Sequence, residues 1–113
     1  MALKAGDLDQ RITLQVKSVS RTAMGDESVV WNDYATTWAA AYPARAREVF
    51  QAAQVRQHFD VKFVIRHRAG VGREDRLIWK GQPYEIVGDP IPVPGGRPVY
   101  LEIMAVAGVR DGR

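Results

Sequence analysis

Cysteine is absent from the chain, and its absence removes disulfides, thiolate nucleophiles and cysteine-ligated zinc from consideration. Histidine is nearly absent. His58 and His67 stand nine residues apart and belong to no H-E-x-x-H or comparable ligand spacing, so no metal site is expected. No run of about 18 apolar residues occurs, which leaves no candidate transmembrane helix. The start, MALKAGDLDQR, turns polar before an apolar signal core can form, so no secretory leader is expected.

The constellations of catalysis are missing as well. Ser18, Ser20 and Ser28 sit in a polar stretch without a G-x-S-x-G elbow, and nothing in the pattern holds a base beside them. The carboxylate pairs Asp26-Glu27 and Glu74-Asp75 are sequence neighbours in turn-like segments. Solvent keeps such pairs ionised, so they read as turn and solvating residues rather than as an acid and a base. Gly70-Val71-Gly72 is followed by a strand-like run with no third glycine and no Lys-Ser/Thr, so neither phosphate-loop pattern is met. The expectation is a protein that is not an enzyme and has no cofactor, no small-molecule substrate and no membrane contact.

What is present suits one globular domain. The chain has 113 residues, 46% hydrophobic and 26% charged, enough to bury a modest core. Alternation dominates the pattern. Apolar residues fall on every second position of Arg11-Ile12-Thr13-Leu14-Gln15-Val16-Lys17, as in a strand with one buried face. Residues 18–28, SVSRTAMGDES, read as a long exposed and flexible loop. VVWNDYATTWAAAY, rich in aromatic and β-branched residues, reads as a second strand broken near Asn32-Asp33 and stopped at Pro43.

The period then changes. In AREVFQAAQVRQ, residues 46–57, Val49, Ala52, Ala53 and Arg56 share one face, which predicts a helix of about three turns. Alternation returns with Phe59, Val61, Phe63 and Ile65 on one side and Asp60, Lys62, Val64 and Arg66 on the other. RLIWKG and PYEIVGDPI form a predicted hairpin turning through Lys80-Gly81-Gln82-Pro83; PVPGG is a connection, and residues 99–106 form a last strand before a frayed tail at 107–113. The expected fold is mainly β: a small antiparallel β-barrel of about six strands with one α-helix inserted between the second and third.

Charge is unevenly spread. The net charge is +3, yet Lys62 to Lys80 alone holds six Lys/Arg against two acids, leaving the rest of the chain at −1. A local excess of this kind attracts polyanions, and it also suits a solvated strand end and turn. Base stacking needs aromatic platforms beside the cations. Phe59 and Phe63 fall on the core side, so only Trp79, Tyr84 and Tyr100 remain for that role. One reading is therefore a small non-enzymatic nucleic-acid-binding β-barrel that uses residues 62–80, with Arg66, Arg68, Arg73 and Arg76 as backbone-type contacts.

The order of several segments points elsewhere. LDQRITLQ, TWAAAYPA, REVFQAAQ, VIRHRAGV, DRLIWKGQPYEIVGDP and YLEIMA resemble, in that order, the head-tail joining (head-closure, stopper or adaptor) proteins of bacteriophages and prophages. The resemblance runs from about Leu8 to Val106. Members typically have Tyr where His67 stands and often Pro where Ala69 stands. It implies a small β-barrel with an inserted helix, made in the bacterial host cytoplasm and built into the virion neck. Such proteins join head to tail as a ring of copies below the portal and adaptor, retaining packaged DNA and offering a docking surface for the tail. The implied partners are further copies of the chain, connector proteins on the portal side, tail-side proteins, and packaged DNA passing through the ring. On that reading, Arg66, Arg68, Arg73 and Arg76 are candidate contacts to a subunit, the adaptor or the DNA channel. Arg21, Met24, Asp26 and Glu27 belong to a candidate assembly loop.

Overall fold

The alternating segments become strands in a computed structural model that describes residues 5–44 and 59–108. The described residues form seven strands: β1 (Gln10–Arg21), β2 (Glu27–Pro43), β3 (Val61–Arg66), β4 (Arg76–Trp79), β5 (Gln82–Ile86), β6 (Ile91–Val93) and β7 (Tyr100–Ala107). All pairings are antiparallel. Their order, β3-β2-β1-β4-β5-β7-β6, has a further β3–β7 pairing, so six strands run round in a closed, ring-like circuit and β6 flanks β7. Closure leaves those six without a free edge along their paired stretches.

The ring encloses the predicted alternation. Ile12, Leu14, Phe63, Ile65, Leu77 and Ile103 are the largest fully buried side chains, all on the inner positions of their strands. Phe63, Trp79 and Tyr84 pack as an aromatic triangle, with Phe63 edge-on to both neighbours at 5.3 and 5.5 Å. Each fully buried aliphatic or aromatic side chain contributes about 1.5–3 kcal/mol. A smaller cluster lies on the outer side, where Leu8, Ala40 and Val64 pack with Tyr42 and Tyr100. Alternation had placed Val64 on the wet face with Lys62 and Arg66. The segment carrying Leu8 covers that face instead, so β3 is buried on both sides at its centre.

Several expectations need correction. Among the described residues there are seven strands rather than about six, because β6, Ile91–Val93, runs from the end of PYEIVGDPI into PVPGG, the predicted connection. Its Pro92 is tolerated at the end of the strand order, where a missing donor costs little. The long loop over 18–28 is mostly strand: Ser18, Val19, Ser20 and Arg21 pair with Val30, Val29, Ser28 and Glu27. Only residues 22–26 turn. Thr22 N donates to Asp26 O at 2.8 Å, and the Thr22 hydroxyl accepts from the Met24 and Asp26 amides. Polar residues concealed this hairpin because both its faces meet water, so no apolar alternation marks it.

The break expected near Asn32-Asp33 is a bulge. Leu14 opposes Ala35 and Gln15 opposes Asp33, leaving Tyr34 as the extra residue in an otherwise continuous β2. The β4–β5 turn is tighter than read: Trp79 pairs with Gln82, and Lys80 and Gly81 both have positive φ, 54° and 74°, as a two-residue type I′ turn requires. A three-residue 3-10 turn, Ala5–Asp7, is the one helical element among the described residues. The helix expected over 46–57 falls outside them.

A projecting arm and a basic rim as candidate functional site

Strand lengths create the site. β4 meets β1 only from Ile12 to Gln15, and β3 meets β2 only from Ala39 to Pro43. Beyond the bulge, from Val16 to Asn32, β1 and β2 pair with each other alone among the described strands. Six residues at about 3.3 Å each give an arm of roughly 20 Å. This agrees with the elongated shape, 53 × 28 × 28 Å. Paired residues share a face, so Val19 and Val29 stand together on one side of the arm, with Lys17–Trp31 and Arg21–Glu27 flanking them. The other side carries Val16, Val30 and the serines. Val16, Val19, Val29 and Val30 are all exposed, and Met24 at the tip is 87% exposed. A two-stranded ribbon is marginal by itself, so its root matters.

Two connected networks hold that root. Tyr34, the bulged residue, donates its hydroxyl to Asp75 at 2.7 Å, and the same carboxylate oxygen accepts from the Gly72 amide at 3.1 Å. Asp75 is 8% exposed and closes its turn by donating its own amide to Gly72 O. It is thus a buried anchor rather than the solvating residue its sequence neighbourhood suggests. Burial first, then the hydrogen bond to Asp75 and its charge, push the Tyr34 phenol far above its ordinary range, against a smaller opposing effect of Arg68. On the outer face, Arg76 donates to Gln15 at 2.7 Å and Gln15 donates to Asp33 at 2.6 Å. The Arg76 guanidinium also lies 4.5 Å from the centre of the Trp31 ring. Partial burial lowers the pKa of Arg76, and these partners hold the guanidinium in place.

The four candidate arginines all lie at the end of the sheet from which the arm emerges. Arg66 ends β3 opposite Tyr100, and its side chain is exposed. Arg68 stands over the Tyr34 ring at 5.7 Å. Arg73 makes an exposed ion pair with Asp89 at 3.8 Å, a contact worth little in water. Arg76 is committed to Gln15 and Trp31. The segment therefore forms a rim of cations with different partners rather than one grip. Arg21, Met24, Asp26 and Glu27 gather at the arm tip, where Arg21 pairs with Glu27 at 3.3 Å.

Some residues escaped the sequence reading. Arg97 and Val99 join the rim, since the His67 amide donates to Val99 O and the Val99 amide to Val93 O. Trp38, half exposed, lies under Arg11 at 4.8 Å. The expected stacking platforms are occupied elsewhere: Tyr84 is buried, Trp79 packs on the core while donating to Gln10, and Tyr100 packs on the outer cluster. Among the described residues no group of His, Asp and Glu is arranged to hold a metal, and no helix is long and apolar enough to cross a membrane.

A family model described as phage head completion protein matches residues 3–108, nearly the whole chain. The chain belongs to that family. The resemblance noted in the segment order is therefore sound, and it now covers the strands, the arm and the rim together. No curated protein matches the chain. Among solved structures, the solution structure of protein SF1141 from Shigella flexneri 2a is similar, with a TM-score of 0.78 and 25% identity. The match covers 96% of this chain and 99% of that one. A head completion protein is a structural component rather than an enzyme, belongs to the virion near the head-tail junction, and works against other head and tail proteins.

Proposed function

We propose that this head completion protein joins the phage head to the tail as a ring of identical copies below the portal and adaptor. The ring retains packaged DNA and offers the surface on which the tail docks. The observation that carries this reading is the family match over residues 3–108. The arm and rim support it. A rigid, ring-like sheet supplies a body, and a roughly 20 Å arm with exposed valines and a methionine supplies surface that stays unsatisfied in a free monomer. Many modest contacts multiplied round a ring give a stable assembly without one strong site.

The rim is better suited to protein contact than to gripping DNA. Arg68 and Arg76 rest on aromatic rings and Arg73 pairs with Asp89, and a channel that lets DNA slide works against strong phosphate binding. The test is a phage or prophage lysate lacking this gene, examined by electron microscopy. Full heads without tails, or heads that have lost their DNA, are expected; tailed particles in normal number would overturn the proposal.

A further inference from the structure

The exposed large apolar side chains of the described residues fall mainly into two separated groups. One is the arm, with Val19, Met24 and Val29 towards its tip. The other is on the rim, where Val99 is 48% exposed and Ile91, also exposed, lies on the edge strand β6. Their charges are complementary. Around Val99 the exposed residues Arg66, Arg68 and Arg97 raise the potential. The arm tip carries Asp26 and Glu27 against one cation, Arg21, and Arg21 is already engaged by Glu27. The arm tip lies roughly 20 Å out from its root, whereas the rim stands at the root's end of the sheet, so the tip is held away from its own rim.

We infer that the arm tip of one copy docks on the rim of the next copy, placing Val19, Met24 and Val29 against Val99 and Ile91, with Asp26 facing Arg66 and Arg97. The inference rests on the ring reading above and names the surfaces that would close it. The occupant is a second copy because the chain carries both halves of the contact. Two different patches that complement each other make a head-to-tail contact, which propagates and closes when its rotation permits. Arm-to-arm pairing would leave the apolar rim uncovered and set Asp26 near its own counterpart. Nucleic acid fits the rim's charge and does not account for the exposed valines and Met24.

The natural lack of cysteine makes the test clean. Tailed particles are assembled with the chain carrying Met24→Cys and Val99→Cys together, or either alone, and treated with a short bismaleimide before denaturing electrophoresis. Both positions are exposed, so the fold should tolerate them. The double variant is expected to give a ladder of covalent multimers beyond the dimer, and each single variant only monomer. Absence of multimers from the double variant would overturn the inference. So would dimers from Met24→Cys alone, which mean meeting arm tips, or its cross-linking to another neck protein. Tailed particles forming without the gene would remove the joining role and leave the cross-linking result standing, so the two failures are distinguishable.

Discussion

Tyr34 and Asp75, 41 residues apart in sequence, meet through a 2.7 Å hydrogen bond that ties the bulge of β2 to the turn before β4. The bond fixes where the arm leaves the ring. A hydrogen bond to a charged acceptor contributes about 1.5–3 kcal/mol. Tyr34→Phe should therefore lower unfolding free energy by about that amount in urea titrations. It should also loosen the arm, seen as faster amide exchange near residues 32–36.

The same pair predicts an alkaline limit. The folded protein holds the Tyr34 phenol above its ordinary value of 10.0, so the neutral form is favoured in the native state. Its stabilising contribution is complete below pH about 10 and declines as pH rises towards the folded pKa, because the unfolded chain releases the proton first. Stability measured above pH 10 should fall less steeply in Tyr34→Phe than in the wild type. Equal slopes would mean that Tyr34 ionises alike in both states.

Phe63 is fully buried and makes edge contacts with Trp79 and Tyr84. Phe63→Ala should cost about 3–5 kcal/mol, as cavity formation adds to lost burial. Chemical denaturation followed by tryptophan fluorescence will check it, since Trp79 loses a packing partner.

Gly25 has φ of 89° in the arm turn, with open space where a side chain would stand. Gly25→Ala then costs backbone strain alone, about 1–2 kcal/mol. Beyond the bulge the arm strands pair only with each other among the described strands, and the Trp31–Arg76 contact lies at the root, so the expected effect is local: amide protection falls for residues 19–29 while core protection and global melting barely move. A drop in global stability of the full strain energy would show that the arm folds together with the ring.

For the rim, we expect the free protein to bind duplex DNA only in the nonspecific range, about 10⁻⁴ to 10⁻⁶ M at physiological salt. Neutralising Arg66, Arg68, Arg73 and Arg76 together should change the salt slope by well under the roughly four units that four phosphate contacts would give. Fluorescence anisotropy across a salt series provides the measurement. Tight binding lost on neutralisation would favour a DNA-gripping rim.

Much of the ring was legible because one buried face leaves a period of two. Phe59, Val61, Phe63 and Ile65 could be assigned to the core in advance, and all four are buried. The β4–β5 hairpin announced itself through Lys80-Gly81. The arm did not, because strands wet on both faces carry no such period and their serines imitate a loop. Val64 broke its predicted side because Leu8, distant in sequence, covers it.

By itself the sequence determined the strand-rich class, the inner face of most ring strands, the absence of cysteine chemistry and, through the order of its segments, the family. Tertiary structure alone decided which residues share the arm's faces and which cations stand together. The physical reason lies in the bulge: one extra residue at Tyr34 reverses the parity of β2, so Trp31 and Trp38 emerge on the same side although odd and even counting separates them. Only the partner strands, with Asp75 waiting to receive the Tyr34 hydroxyl, say where that extra residue falls.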